Sequence, residues 1–145
     1  HAGSVEAKAG GRTPQLLRRA GYGIGMAFQV IDDILDFESA ETVARKTVGR
    51  DIAEGLCTLP LIYALREDPE GMRALLPSGP STDPDSGGPG ASAARRAVLL
   101  GGTERARADA RRFTDRALAE IGRLPECAAR AELASLARRL LERDY

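Results

Sequence analysis

Residues 28–37 of this chain read FQVIDDILDF, a stretch that places three aspartates among apolar side chains. On a helix, Asp32 and Asp36 are four residues apart and project from one face, whereas Asp33 lies about 100° further round. From residue 20 to residue 44 the sequence contains no Lys, Arg or His that could balance these carboxylates. Because crowded and partly buried carboxylates repel one another, the pattern predicts a divalent cation bound through oxygen atoms.

The alternative interpretation of this stretch is a solvated acidic stripe on a surface helix. An isolated DDxxD would favour that alternative, but apolar residues flank the aspartates on both sides. Mg²⁺ is the expected ion, because it commonly binds through one or two carboxylates together with waters and substrate phosphates.

Two further motifs follow the aspartates along the chain. Residues 46–51 read KTVGRD, a K-x-x-G-x-D pattern, and residues 54–60 read EGLCTLP, an E-G-x-x-T-L-P pattern. In this order the motifs resemble those of the trans-isoprenyl (polyprenyl) diphosphate synthases, whose second aspartate-rich motif corresponds to FQxxDDxxDF. DDxxD alone is a weak signal, whereas the ordered set over residues 21–65 is strong.

The resemblance implies a role for each motif residue. Asp32 matches the aspartate that binds a Mg²⁺ shared with the allylic diphosphate, and Asp33 and Asp36 would complete or orient that metal shell. Lys46 matches a lysine that contacts the same diphosphate as a point charge, and it is one of only two lysines in the chain. Its alternative role is that of a solvated loop cation. Gln29 resembles the glutamine that faces the substrate.

Two positions near these motifs leave questions open. Asp51 either caps the helix that follows it or orients Lys46, and the sequence does not choose between these supporting roles. The family commonly reads G-K-x-T where this chain has Leu56, so one possible phosphate contact is missing. Related synthases that make longer products also tolerate a residue other than lysine there, so activity is not excluded.

The function implied by the resemblance is a Mg²⁺-dependent prenyltransferase of isoprenoid biosynthesis. Such an enzyme condenses isopentenyl diphosphate with an allylic prenyl diphosphate: the allylic diphosphate ionises, the isopentenyl double bond attacks the cation, and diphosphate is released. Asp32 and Lys46 would carry this chemistry, and the intact enzyme would be a homodimer or heterodimer. Two alternatives are a non-catalytic small subunit of a heteromeric synthase and a terpene cyclase-like enzyme.

The expected fold is all-α, an isoprenoid-synthase-type helical bundle. The family domain is roughly twice as long as these 145 residues, and the chain starts at His1 without a first aspartate-rich motif. We therefore expect residues 1–145 to be the C-terminal part of a single domain, N-terminally truncated and inactive alone. Product chain length cannot be predicted, because the family sets it mainly near the first motif.

Helix boundaries follow from Pro, Gly and capping residues. Thr13-Pro14 predicts a helix to about Phe37, and Asp68-Pro69 predicts a short helix that ends before Pro77. Pro, Gly and Ser fill 12 of the 16 positions in residues 77–92, which predicts a flexible insertion. The remaining predicted helices cover about 51–55, 58–66, 92–100, 103–122 and 126–143.

Composition narrows the functional classes. The 21 basic and 21 acidic residues give a formal net charge of zero, so there is no electrostatic case for nucleic-acid binding. No apolar run approaches the length of a membrane span, and a cytoplasmic location is expected. Cys57 and Cys127 are far apart in sequence and are predicted to be buried free thiols.

Overall fold

A computed structural model of the chain describes residues 3, 7–38, 49–77 and 89–139. Every regular secondary-structure element in these ranges is a helix, which confirms the predicted all-α class. The helices are α1 (Thr13–Glu38), α2 (Arg50–Ala53), α3 (Leu59–Glu67), α4 (Pro69–Leu75), α5 (Pro89–Leu99), α6 (Gly102–Gly122) and α7 (Ala128–Arg139).

The chain forms two compact units, residues 1–29 with 109–145 and residues 30–108. In the first unit, a small core forms around buried Ala20, Ile121 and Ala137. Gly23 allows α1 to approach α6 closely there, because an added Cβ would lie 2.9 Å from the carbonyl oxygen of Phe113. The absence of a side chain on Gly23 is therefore a packing requirement rather than a source of flexibility.

In the second unit, α5 packs against α2, α3 and α4. Its buried side chains are small, so the neighbouring helices can approach its backbone closely. The core of this unit comprises Phe37, Ile52, Leu61, Ala64, Met72, Ala93, Ala94 and Ala97. Phe37 belongs to α1 and Ile52 to α2, so burial of this core holds the end of one motif helix close to the start of the other.

Helix α5 begins at Pro89, three residues before the predicted start and inside the segment predicted to be a flexible insertion. Gly90 and Ala91 are both buried, and a Cβ added to Gly90 would lie 2.6 Å from the carbonyl oxygen of Gly49. The small residues at 90 and 91 thus reflect close packing, which composition alone cannot distinguish from a linker. Residues 78–88 lie outside the described residues, so the flexible insertion stays a prediction.

Most other predicted boundaries agree with the structure to within a few residues. Asp68 caps α4 by accepting a hydrogen bond from the Gly71 N–H at 2.9 Å, as Asp68-Pro69 suggested. The last predicted helix is observed from Ala128 to Arg139, and residues 140–143 lie outside the described part.

The prediction that both cysteines are buried is wrong. Cys57 and Cys127 are free and exposed, because each lies in a short segment between helices rather than on a packed helix face. Within the described ranges, no helix combines the length and apolar character needed to cross a bilayer.

Candidate active site

Helix α1 carries the predicted carboxylates along a partly exposed face. Its buried positions recur at three- and four-residue intervals, the spacing of one packed helix face. They are Leu16, Ala20, Gly23, Ala27, Val30, Ile31, Ile34 and Phe37. Gln29 and Asp32 are exposed, whereas Asp33 and Asp36 are half-buried. Phe28, the first residue of the FQVIDDILDF stretch, is 45% exposed despite its apolar ring.

Asp36 connects the end of α1 to the start of α2. Its backbone carbonyl accepts a hydrogen bond from the Gly49 N–H at 3.2 Å, and its Oδ2 accepts one from the Asp51 N–H at 3.2 Å. The first N–H groups of a helix have no partner within that helix. Asp36 thus acts on α2 as a capping residue would, although it lies on another helix.

The proposed capping role of Asp51 is not what the structure shows. Gly49 occupies the N-cap position of α2, and no side chain of the cap residue bonds to the helix. Asp51 lies in the first turn, where its charge interacts favourably with the helix dipole. Lys46, the residue that Asp51 was alternatively predicted to orient, lies outside the described residues.

Gly49 explains why the K-x-x-G-x-D motif has a glycine at this position. Its φ of 74° is left-handed, a conformation that other residues adopt only with strain. An added Cβ would also collide with the carbonyl oxygen of Gly90. The turn that aims the Asp51 N–H at Asp36 therefore depends on a residue without a side chain.

Gly55, in the E-G-x-x-T-L-P motif, ends α2 in a Schellman arrangement. Its φ is 80°, its N–H donates to the Ile52 carbonyl at 3.1 Å, and the Leu56 N–H donates to the Asp51 carbonyl at 2.7 Å. Leu56, at the position of the family's lysine, is 51% exposed. An exposed leucine stands where the family commonly presents a cation.

Asp32, Asp36 and Asp51 form an acidic cluster, the name used below for these three residues. Burial raises the pKa of Asp36, as does the charge of Asp51, although the Asp51 N–H acts in the opposite direction. Burial also raises the pKa of Asp51, followed by the charges of Glu54 and Asp32. Arg50 lowers both pKa values, but its Nε is already bonded to Glu54 at 2.7 Å.

The described residues contain no group of three acidic, His or Cys side chains close enough to hold a metal on their own. The predicted ligands Asp32, Asp33 and Asp36 are therefore not gathered into a ready-made three-ligand site. Asp33 projects about 100° away from Asp32 on α1, and Asp36 already accepts the Asp51 N–H. The all-oxygen donor set still fits Mg²⁺, which needs only one or two carboxylates beside waters and phosphate oxygens.

Two contacts near this site were not predicted from the sequence. One is the backbone contact of Gly49 with Gly90, which has no motif of its own. The other is an ion pair between Glu38, the last residue of α1, and Arg107 of α6. The signal available for the second was the lack of any basic residue in the last turn of α1, since such a helix end favours a cation from elsewhere.

Comparison with known proteins assigns the all-α chain to a family. The sequence profile described as "Polyprenyl synthetase" matches residues 1–83. Heptaprenyl diphosphate synthase component 2 of Geobacillus stearothermophilus is 38% identical over 125 residues, which are 86% of this chain and 38% of that protein. Nonaprenyl diphosphate synthase of Mycobacterium tuberculosis is 37% identical over 127 residues, 83% of this chain and 36% of that protein. The chain belongs to the polyprenyl synthetase family.

Solved structures agree with this assignment. A decaprenyl diphosphate synthase from Rhodobacter capsulatus superposes with a TM-score of 0.81 and 29% identity, covering 97% of this chain and 43% of that one. A geranylgeranyl pyrophosphate synthase from Corynebacterium glutamicum, complexed with calcium and isoprenyl diphosphate, superposes with a TM-score of 0.73 and 34% identity, covering 88% and 39%. The chain thus spans about two-fifths of the length of the relatives it matches.

Proposed function

We propose that this chain supplies the metal- and allylic-diphosphate-binding part of a prenyltransferase. The enzyme condenses isopentenyl diphosphate with an allylic prenyl diphosphate. The observation that carries the proposal is the acidic cluster, which brings Asp51 of the K-x-x-G-x-D motif against the second aspartate-rich motif. Burial and neighbouring carboxylates raise the pKa of Asp36 and of Asp51. Crowded carboxylates of this kind gain stability when a cation binds.

The three aspartates of the second aspartate-rich motif have different parts in this proposal. Asp32 is exposed and offers carboxylate oxygens directly. Asp36 accepts the Asp51 N–H through Oδ2 and also interacts with the Arg50 backbone N–H, so it mainly holds α2 in place beside the ion. Asp33, half-buried on α1, would orient the shell from its edge. Mg²⁺, when bound, supplies the positive charge that stabilises the departing diphosphate.

Gln29 and Lys46 are the proposed contacts to the substrate itself. Gln29 is exposed on α1 three residues before Asp32, so an amide can face a ligand bound at that carboxylate. Lys46 would add a point charge to the diphosphate. Support for the combination of metal and diphosphate comes from the Corynebacterium relative, whose structure contains calcium and isoprenyl diphosphate. Calcium and magnesium are both hard cations that prefer oxygen ligands.

The test is incorporation of radiolabelled isopentenyl diphosphate into longer prenyl diphosphates. The chain is assayed alone and together with a segment that carries a first aspartate-rich motif, in Mg²⁺ and in excess chelator. Mg²⁺-dependent chain extension in the combined format supports the proposal, whereas extension by the chain alone would contradict the expectation that it is inactive by itself. Product chain length is measured in the same assay. Lack of incorporation in both formats, with folded protein, contradicts it.

A non-catalytic subunit of a heteromeric synthase is the second candidate. Two relatives are named heptaprenyl diphosphate synthase component 2, at 38% and 30% identity, a name that implies more than one component in those proteins. Asp32→Asn in a co-expressed complex separates the candidates, because a non-catalytic subunit would tolerate it without loss of turnover.

Sedimentation of the complex tests the homodimer and heterodimer proposals, and cell fractionation tests the proposed cytoplasmic location.

A further inference from the structure

The last turn of the carboxylate-bearing helix is held by a cation from another helix. Helix α1 has no basic residue in its own last turn. Arg107 of α6 donates from Nη2 to Oε2 of Glu38, the terminal residue of α1, at 2.7 Å. The two side chains are 27% and 32% exposed, so the pair is partly shielded from water. A positive charge at a helix C-terminus also interacts favourably with the helix dipole.

This ion pair lies at the end of α1 that carries Asp36, and the proposed site depends on the position of Asp36. Glu38 is two residues beyond Asp36, whose carbonyl and carboxylate both receive N–H groups from the start of α2. Helix ends fray because their last carbonyl groups have no partner within the helix. Fraying of the last turn of α1 would displace Asp36 and, through it, the Asp51 N–H. The Arg107–Glu38 pair opposes that displacement.

Helix α6 carries a second pair that makes an internal control. Arg105 donates from Nη2 to Oε2 of Glu67, the last residue of α3, at 2.6 Å. The chemistry is the same as that of Arg107 with Glu38: an α6 arginine bound to a glutamate that ends a helix. The side chains of this second pair are 48% and 48% exposed. No predicted metal or diphosphate residue lies on α3.

We propose that Arg107 is a positioning residue for the metal and diphosphate site, acting through Glu38 on Asp36, and that Arg105 is not. The inference rests on the proposed function for its kinetic consequence. It assigns to α6, which carries no family motif, a part in setting the geometry of the acidic cluster. Arg107 itself contacts neither metal nor substrate in this proposal.

The test compares Arg107→Gln with Arg105→Gln in the active enzyme that contains this chain. Arg107→Gln is expected to lower kcat/KM for the allylic diphosphate about tenfold or more, since small displacements of a catalytic group are costly. It should also raise the Mg²⁺ concentration for half-maximal rate, and leave the KM for isopentenyl diphosphate near that of the wild type. Arg105→Gln should leave all three kinetic values unchanged. Both variants should lower the thermal midpoint of unfolding by similar small amounts.

Restoring the charge pair provides the second arm of the test. Arg107→Glu should impair the enzyme more than Arg107→Gln, and the double variant Arg107→Glu with Glu38→Arg should recover most of the loss. Arg107→Lys keeps the charge and serves if the glutamine variant folds poorly; it should retain most of the activity. Equal kinetics for Arg107→Gln and Arg105→Gln would overturn the proposal, as would failure of both the charge swap and Arg107→Lys to restore activity.

Hydrogen exchange separates this inference from the proposed function. Amides of residues 34–38 and of Asp51 should exchange faster in Arg107→Gln than in the wild type or in Arg105→Gln. If the wild-type enzyme shows no chain extension, the proposed function fails, whereas this difference in exchange would still support the positioning role. Unchanged exchange in Arg107→Gln would refute it regardless of activity.

Discussion

Asp36 and Asp68 perform the same local task in opposite electrostatic surroundings. Each carboxylate accepts a backbone N–H at the start of a helix, Asp36 from Asp51 at 3.2 Å and Asp68 from Gly71 at 2.9 Å. Asp68 also accepts Nη2 of Arg96 at 2.9 Å, and this bond chiefly lowers its pKa. The pKa of Asp36 is raised instead, chiefly by burial and then by the charge of Asp51.

The difference shows which carboxylates the fold uses for its own stability. Ionised Asp68 is stabilised in the folded chain by a helix N–H and an arginine. Ionised Asp36 is stabilised by the Asp51 N–H, but burial and the neighbouring carboxylate outweigh that contribution. Local arrangements that cost stability concentrate at functional sites, because they are retained for what they bind. The acidic cluster fits that pattern, whereas Asp68 performs ordinary helix capping and is supported by Arg96.

The largest expected effect comes from removing the exposed carboxylate of the cluster. Asp32→Asn should lower turnover of the active enzyme by about 10²-fold or more, because charge stabilisation at a metal site is worth several kcal/mol. Thermal stability should stay at or slightly above that of the wild type, since Asp32 is exposed and adds to the repulsion on Asp51. Asp68→Asn is the control and should leave turnover unchanged. Full activity of Asp32→Asn at saturating Mg²⁺ would contradict the assignment of Asp32 as a metal ligand.

Lys46→Ala should give the next largest effect. A charge-assisted hydrogen bond to a diphosphate contributes about 1.5–3 kcal/mol, so affinity for the allylic substrate should fall roughly tenfold to a hundredfold. Affinity for isopentenyl diphosphate should be little changed, and equilibrium binding of both substrates measures the difference. If both affinities are untouched, Lys46 is only a loop cation.

Gly49→Ala should destabilise the junction between α1 and α2. The left-handed φ alone costs about 1–2 kcal/mol for a residue with a Cβ, and the contact with Gly90 adds to that cost. Gly122→Ala is the matched control, because a Cβ there meets nothing within 4 Å and no positive φ is required. Urea unfolding of the two variants measures the difference. Similar free energies of unfolding would show that the Gly49 turn relaxes without strain.

Replacing Asp68, the capping residue of α4, should give a smaller effect on stability that depends on pH. The pKa of Asp68 is lowered in the folded state, so its stabilising contribution is present above the unfolded value of about 3.9 and is lost as the pH falls through the folded value. The difference in unfolding free energy between wild type and Asp68→Ala should therefore shrink below about pH 4. Arg96→Gln should reproduce part of this change. A pH-independent difference between wild type and Asp68→Ala would contradict it.

The smallest expected effect is that of shortening the Pro/Gly/Ser segment. Replacing residues 78–88 with a short Gly/Ser turn should leave stability and turnover within error, because loop-closure entropy changes slowly with loop length. Extending the replacement through Gly90 and Ala91 should destabilise the protein, since both are buried in α5. A cooperative loss of stability from the 78–88 replacement alone would show that this segment packs on the domain.

Sequence patterns predicted the helices where local signals are strong. Thr13-Pro14 and Asp68-Pro69 give the starts of α1 and α4 to within a residue, because capping and proline geometry act over one turn. Composition predicts a linker at Pro89-Gly90, where the structure has the start of α5. The prediction is wrong because Gly90 is required by a tertiary contact with Gly49, which composition does not show. The same limit applies to the site. The motif predicts Asp32 as a metal ligand, but it does not predict the hydrogen bond between Asp36 and the Asp51 N–H, which depends on how α1 and α2 pack.

The proposed function requires the acidic cluster to bind Mg²⁺ together with a diphosphate. Calorimetric titration of Mg²⁺ into the folded protein, with and without inorganic diphosphate, tests it most directly. We expect weak binding of Mg²⁺ alone, clearly tighter binding when diphosphate is present, and loss of that enhancement in Asp32→Asn but not in Asp68→Asn. Equal enhancement in wild type and Asp32→Asn would show that Asp32 does not bind the ion together with diphosphate.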